Sequence, residues 1–321
     1  MRFISIPQNG SSWRGRLPYC FTTERSEPSD VVVEIVNATS SERLGTMRLY
    51  GVTEAEVDIA SYIRPHLSLT PIESERQPML ITSPSAIAVV VRVNGEESER
   101  RVFFRSKFDA TTPAILSNCP TVQNLIFGDA IRLTLYACSD ISVVIAVRSP
   151  KGTTMKATGV SNGMPMELVM PTQRLFGAEM IMLTIRLDGG EAYQRDYVLV
   201  SNAASARNVL WYNAVGGIDN YIFDHHKRLN YSVDRAEVHI CKEEAKSAEG
   251  LLRYRLCSGY ELEAEMERVV QLLLSPVVYA EVDGYCRDVE VESRNVSFDS
   301  RGKLHTITLD VSEKWRGGEV W

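Results

Sequence analysis

The sequence predicts a mainly β protein: two N-terminal β-sandwich-like domains followed by a C-terminal α+β domain with one clear helix. Three observations carry this. Apolar and polar residues alternate with a period of two along most of the 321 residues, the pattern of half-buried strands. Turn residues (Gly, Asn, Asp) punctuate those runs at short, regular intervals, as in β-sandwich units. Only one stretch, near residue 265, keeps a helical period.

The first strands follow from Val31, Val33 and Ile35 pointing one way while Val32, Glu34 and Val36 point the other. In "IAVVVRVNGEESERRVFF" an apolar run ends at Asn94-Gly95, and a return run follows through Val102 to Phe104. Asn-Gly between such runs predicts a hairpin, since both residues tolerate positive φ, with a turn of two residues or longer. Its charged tip, Glu96 to Arg101, reads as solvated. In "IRLTLYACSDISVVIAV", Ile131, Leu133, Leu135 and Ala137 alternate with Arg132, Thr134, Tyr136 and Cys138. Ser139-Asp140 marks a turn, and Ile141, Val143, Ile145 and Val147 resume beyond it. "AEMIMLTIRLDGGEAYQRDYVLV" is a further strand pair around Asp188-Gly189-Gly190.

The helix is expected over about residues 260–274, in "SGYELEAEMERVVQLLLSP". Ser258-x-x-Glu261 has the pattern of a capping box. Leu262, Met266, Val269, Val270 and Leu273 then fall on one face, and Ser275-Pro276 ends the run because the residue before proline leaves the helical region. An Asp283-Gly284 turn and the strand "KLHTITLDV" follow. Boundaries fall at "KFDATTPAILSNCPT" and at the small, polar "SNAASARN". They give a β-sandwich-like domain over 1–109, an Ig-like β-sandwich over 110–204 and an α+β domain over 205–321, with a hairpin at 208–223.

Composition bounds the function. A net charge of −6 and a pI near 5.6 argue against a broad nucleic-acid footprint. Only "SSWRGRLPY" and "FFRSKF" interleave basic and aromatic residues. No secretory leader and no run of about 18 apolar residues is visible, so the expectation is a chain made in the cytoplasm and not inserted in a membrane. Cys20, Cys119, Cys138, Cys241, Cys257 and Cys286 are scattered without a C-x-x-C pair and read as free thiols. His225 and His226 in "GIDNYIFDHHKR" are the sharpest metal candidate, yet adjacent strand residues face opposite ways and no zinc spacing is present. "AVGGID" lacks the lysine and hydroxyl residue of a P-loop, and no G-x-S-x-G elbow appears. No catalytic, cofactor-binding or metal residue is nominated.

The most distinctive stretch is "NVLWYNAVGGIDNYIF", residues 208–223. Taking Gly216-Gly217 as a two-residue turn pairs Val215 with Ile218, Ala214 with Asp219, Asn213 with Asn220 and Tyr212 with Tyr221. Trp211 then meets Ile222, and Leu210 meets Phe223. Both faces carry apolar groups, so cover is expected on both sides.

"WYNAVGGIDNYIF" resembles the W-x-N-x-x-G-G-x-D-x-Y-x-F signature of tail-associated structural proteins in phages and prophages of Bacteroidetes-type bacteria, through Trp211, Asn213, Gly216, Gly217, Asp219, Tyr221 and Phe223. "LLLSPVVYAEVDG", with Ser275 and Pro276, is similar to the family's "LLxSPxVY" phrase, and "VDIASYIRPHL" to a shorter one. The resemblance spans about residues 205–315, and its motifs are structural. It implies a non-enzymatic structural or assembly subunit of a tail, ring-like or adaptor-like. Such a subunit would associate with itself and other virion proteins, as a homo-oligomer without cofactor, nucleic acid or membrane. The competing reading is a carbohydrate- or ligand-binding surface module that uses Trp211 and nearby tyrosines as an exposed stacking platform.

Overall fold

The computed structural model describes residues 1–23, 27–73, 77–110, 112–150, 152–175, 177–200, 206–223, 225–240, 243–259, 261–282, 285–293, 298–301 and 304–316. Within these, only the backbone is described at 225–240, 243–252, 254, 264, 282, 298–301 and 314–316.

The molecule is mainly β, with two α-helices among the described residues. The first part contributes β1 (Arg2–Ser5), β2 (Ser11–Ser12), β3 (Pro18–Thr22), β4 (Ser29–Asn37), β5 (Arg43–Val52) and β6 (Glu54–Asp58). Then come α1 (Ala60–Ile63), β7 (Met79–Thr82), β8 (Ala86–Val93), β9 (Glu96–Glu97) and β10 (Arg101–Phe104). The sheet β1-β3-β6 packs on the sheet β2-β10-β8-β4-β5. The alternation decides which side faces in: Val31, Val33 and Ile35 are buried with Tyr19, Phe21 and Val91, while Val32 is exposed. The Asn94-Gly95 turn forms as expected, with φ of 48° and 91° and Val93 opposite Glu96. The "VDIASYIRPHL" phrase makes α1, its start held by Asp58 Oδ1, which accepts from the amides of Leu17 and Ala60.

The middle part contributes β11 (Ala114–Ile115), β12 (Val122–Ile126), β13 (Ala130–Tyr136), β14 (Asp140–Arg148) and β15 (Thr153–Val160). It continues with β16 (Met166–Pro171), β17 (Met180–Leu187) and β18 (Ala192–Val200). The sheet β11-β13-β16-β7 packs on β12-β18-β17-β14-β15 around Leu133, Leu135, Val143, Ile145, Leu168 and Leu183. One strand of this sandwich, β7, comes from the first third of the chain. The Asp188-Gly189 hairpin forms, joining β17 to β18. At Ser139-Asp140 the chain crosses from one sheet to the other instead of turning back within one. The Asp188 carboxylate secures that crossing by accepting from the amides of Cys138, Ser139 and Asp140 and from the Ser139 hydroxyl.

The last part contributes β19 (Arg207–Tyr212), β20 (Ile218–Phe223), β21 (His225–Ile240), β22 (Glu243–Cys257) and β23 (Glu261–Leu262). After α2 (Glu263–Leu274) come β24 (Val278–Val282), β25 (Tyr285–Val291), β26 (Phe298–Arg301) and β27 (Leu304–Arg316). The sheet runs β20-β19-β24-β25-β27-β22-β21. Its two end strands are consecutive in the chain with only Asp224 between them, which brings the ends of the sheet together there. α2 supplies Met266, Val269 and Leu272 to the core of this curled shell. The expected turn residues Asp283 and Gly284, and residues 201–205 of "SNAASARN", lie outside the described residues.

The helix starts three residues later than the expected 260, and the capping box does not form. Leu262 is the N-cap and no side chain caps it. Ser258 Oγ accepts from the amide of Ile307, and Glu261 accepts from the Tyr221 hydroxyl at 3.0 Å. Pairing of Glu261 and Leu262 with β27 extends the chain where the box would have required a helical turn.

Candidate functional site at the three-way joint

The 208–223 hairpin forms, but not in the register counted from a two-residue turn. Tyr212 lies opposite Ile218, Trp211 opposite Asp219, Leu210 opposite Asn220 and Val209 opposite Tyr221. The loop is five residues long, from Asn213 to Gly217. The resulting shift of odd parity redistributes the faces. Val209, Trp211, Tyr221 and Phe223 enter the shell core, while Leu210, Tyr212 and Ile218 pack on the other side. Tyr221 and Phe223 meet edge to face with centroids 5.0 Å apart.

Asn213 is the reason for the longer loop. Its Oδ1 accepts from the amides of Val215 and Gly217, and its backbone amide donates to Gly217 O at 2.9 Å. Its side-chain amide donates to Leu116 O in the middle part. Gly216 turns at φ 88°, where a side chain is strained. Gly217 has no such φ; a Cβ there would collide with the backbone carbonyl of Leu116. One glycine serves the turn, the other a close approach.

The tip is wedged among all three parts of the molecule. Lys107 donates its amide to Ala214 O, and Ser85 Oγ donates to Gly216 O. Ile218 donates its amide to Thr134 Oγ1. This explains why every residue of β13 is buried. Arg132, Thr134 and Tyr136, the polar set of the alternation, face the joint and not water: Tyr136 packs edge to face on Phe104 at 5.1 Å.

Asp219 is fully buried, accepting from Ser117 Oγ at 2.7 Å, the Asn118 amide and Cys119 Sγ. Burial pushes its carboxyl above the usual range, against the pull of those hydrogen bonds and of Arg268. The Arg268 guanidinium sits 5.9 Å from the Trp211 ring centroid and 5.8 Å from that of Tyr221. It donates to Asn220 O and ion-pairs with Glu265 at 3.0 Å. Burial, then the Asp219 charge, pushes the Cys119 thiol up to about 12. A thiol held in its protonated form is a weak nucleophile. Cysteine, aspartate and arginine are thus in contact here, yet their arrangement suits anchoring a strand better than attacking a substrate.

Two buried charge sets are not nominated by the sequence pattern. Arg132 and Glu281 pair at 3.3 Å, and Glu281 also accepts from Asn208 Nδ2 and the Ala130 amide. Glu167 accepts from Ser83 Oγ at 2.7 Å and from the Tyr212 hydroxyl at 3.4 Å. Burial raises both carboxyls. The available signal is a charge interrupting an apolar strand, as in "IRLTL", "MELVM" and "VYAEV".

The stacking-platform reading of Trp211 is overturned: the ring is 0% exposed. Ser275 ends α2 as its extended C-cap, and Pro276 follows it. Cys20, Cys119, Cys138, Cys257 and Cys286 are free thiols, as their scatter suggests, and Cys241 lies outside the described residues. The side chains of His225 and His226 lie outside them too. No helix among the described residues is long and apolar enough to cross a membrane.

No family model matches the sequence, and no curated protein matches it. Among solved structures, a crystal structure of CBD12 from CALX1.2 is similar at 10% identity and TM-score 0.17, covering 57% of this chain and 80% of that one. Dpr2 Ig1-Ig2, in complex with DIP-Theta Ig1-Ig3, is similar at 11% identity and TM-score 0.19, covering 63% and 99%. DIP-gamma IG1+IG2 is similar at 13% identity and TM-score 0.17, covering 63% and 97%. At such TM-scores these likenesses carry no functional information.

Proposed function

We propose that this chain is a non-enzymatic assembly subunit of a phage or prophage tail, a ring or adaptor that binds copies of itself and other virion proteins. It would be synthesised in the cytoplasm and carried into the particle. The observation that carries the reading is the use made of the signature. Trp211, Tyr221 and Phe223 fill the shell core, while Asn213, Gly216, Gly217 and Asp219 lock three β units together. A signature given over to architecture supports a structural role.

A second feature supports it. β21 and β22 stay paired for six rungs, from Arg235↔Ala248 to Ile240↔Glu243, beyond the last described rung that β22 shares with β27, Glu249↔Arg316. At about 3.4 Å per residue this arm extends roughly 20 Å past that rung. Among the described residues no third strand joins these six rungs. A two-stranded ribbon alone is marginal in water, and an open edge favours pairing with another chain. A ring needs a head-to-tail interface that closes, and an arm reaching a neighbour supplies one side of it.

Light scattering behind size exclusion, with negative-stain microscopy, tests this at high protein concentration. Closed rings or stacked oligomers are expected, lost when residues 236–247 are replaced by Asn-Gly. A strict monomer for the full chain, alone and with the structural proteins encoded beside it, overturns the reading.

A further inference from the structure

The two basic-aromatic stretches of the sequence come together. β2, in "SSWRGR", pairs in parallel with β10, in "FFRSKF", with Ser11 opposite Phe103 and Ser12 opposite Phe104. Beside them opens a cleft of about 290 Å³, bounded also by the signature loop and the end of α2. Trp13 sits at its wall, with the guanidinium carbons of Arg64 and Arg105 at 5.7 and 5.2 Å from its ring centroid. Arg105 Nη1 donates to Leu67 O, which fixes the fork in place, while its buried Nε has no hydrogen-bond partner among the described residues.

The charges here are uncompensated. Arg16, Arg43, Arg92 and Arg101 of the same sandwich each pair with a carboxylate. Among the described residues Arg14, Arg105 and Lys107 have no such pair, and no Asp or Glu lines the cleft. A second cleft, around Arg268, carries Glu261 and Glu265 and so neutralises its own cation. The cationic cleft also has an apolar rim: Leu274 is 79% exposed there, next to Pro276.

We propose that this cleft recognises an acidic residue followed by an apolar one in an extended segment of a partner protein. Arg14, Arg105 and Lys107 receive the carboxylate through charge-assisted hydrogen bonds. Leu274 and Pro276 receive the apolar neighbour. Stacking on Trp13 holds Arg105 in the binding geometry beforehand, which lowers the ordering cost. A nucleic acid fits less well. Two guanidinium groups already lie against the Trp13 ring and compete with a base for it, and the net charge of −6 disfavours a long polyanion. The partner's identity as a virion component rests on the assembly role proposed above; the chemistry of the cleft does not.

Fluorescence anisotropy with a rhodamine-labelled Glu-Leu repeat peptide tests this on the full chain. Saturable binding that weakens with added salt is expected, with an about tenfold loss in the double variant Arg14→Gln, Lys107→Gln and a smaller loss in Leu274→Ser. Among the described residues Lys107 reaches only the Phe108 ring with its charged end, so little internal structure is at stake, and unchanged melting curves confirm that the variants fold. Equal binding of the matched Gln-Leu peptide, or no binding of the Glu-Leu peptide, overturns the proposal. So does tighter binding of oligo-dT, or displacement of the peptide by an equal concentration of inorganic phosphate. A monomeric chain that still binds the peptide separates failure of the assembly role from failure of the cleft.

Discussion

At Asn94-Gly95 the chain reverses in two residues, and a Cβ added to Gly95 would meet nothing. At Asn213 to Gly217 it takes five, and a Cβ added to Gly217 would strike the Leu116 carbonyl. The first hairpin obeys its own backbone: both turn residues adopt positive φ and the strands follow. The second obeys its surroundings. Its loop is as long as it must be for Asn213 to bond both its own tip and Leu116. A glycine pair therefore reports either turn handedness or a close approach, and only the neighbours decide which.

Substitutions can break or sharpen this contrast, and the largest effect belongs to the charges beneath the second hairpin. Arg132→Met strands Glu281 in the interior and should cost about 3–5 kcal/mol in urea unfolding. Adding Glu281→Leu should recover much of that loss; no recovery would mean that Arg132 matters through packing alone. Gly217→Ala should cost about 3 kcal/mol, since backbone must move. If it proves neutral, the joint is looser than the close approach implies. Asn213→Ala removes the bonds that define the loop and should cost about 2 kcal/mol in the same assay.

The Asp188-Gly189 hairpin is intermediate, a local turn whose carboxylate reaches another strand crossing. Desolvation raises that carboxyl, but four hydrogen bonds outweigh it and leave it below its ordinary 3.8. A depressed pKa gives stability that is complete above the ordinary value and fades as pH falls through the depressed one. Asp188→Asn should thus cost about 1.5 kcal/mol at neutral pH, a figure already reduced for screening by nearby water. The gap to the parent should narrow below pH 3.8. A gap that stays constant with pH would remove charge from the explanation. Gly95→Ala should be mildest, about 1 kcal/mol from positive φ alone, read from the shift in melting temperature.

Much of the fold is legible in the sequence because the first two sandwiches bury one face of most strands, and alternation records that directly. Val31, Val33 and Ile35 are buried as the pattern requires. The pattern is less informative at β13, where Arg132, Thr134 and Tyr136 resemble a solvent face but are covered by other parts of the chain. The same blindness to long-range contacts explains the shifted hairpin register and the capping box that pairs as a strand. It also explains Trp211, whose chemistry fits an exposed platform while its position fits a core. The signature is legible as a block, but its job, holding Leu116, Ser117 and Thr134, is not, because those partners lie about a hundred residues earlier.

The joint also has a schedule. Ser85 bonds Gly216, Leu116 bonds Asn213, and Arg132 pairs with Glu281, so each early partner needs one that lies about a hundred residues or more further along the chain. On the ribosome, at about 5–20 residues per second, the early sandwiches emerge first and present Arg132 and Glu167 before their covers have been made. For those seconds the nascent molecule carries an unfinished, charge-bearing face. Its closing step waits until Asn213, Gly216 and Glu281 have been made, and a stop codon before residue 208 would leave that face open for good.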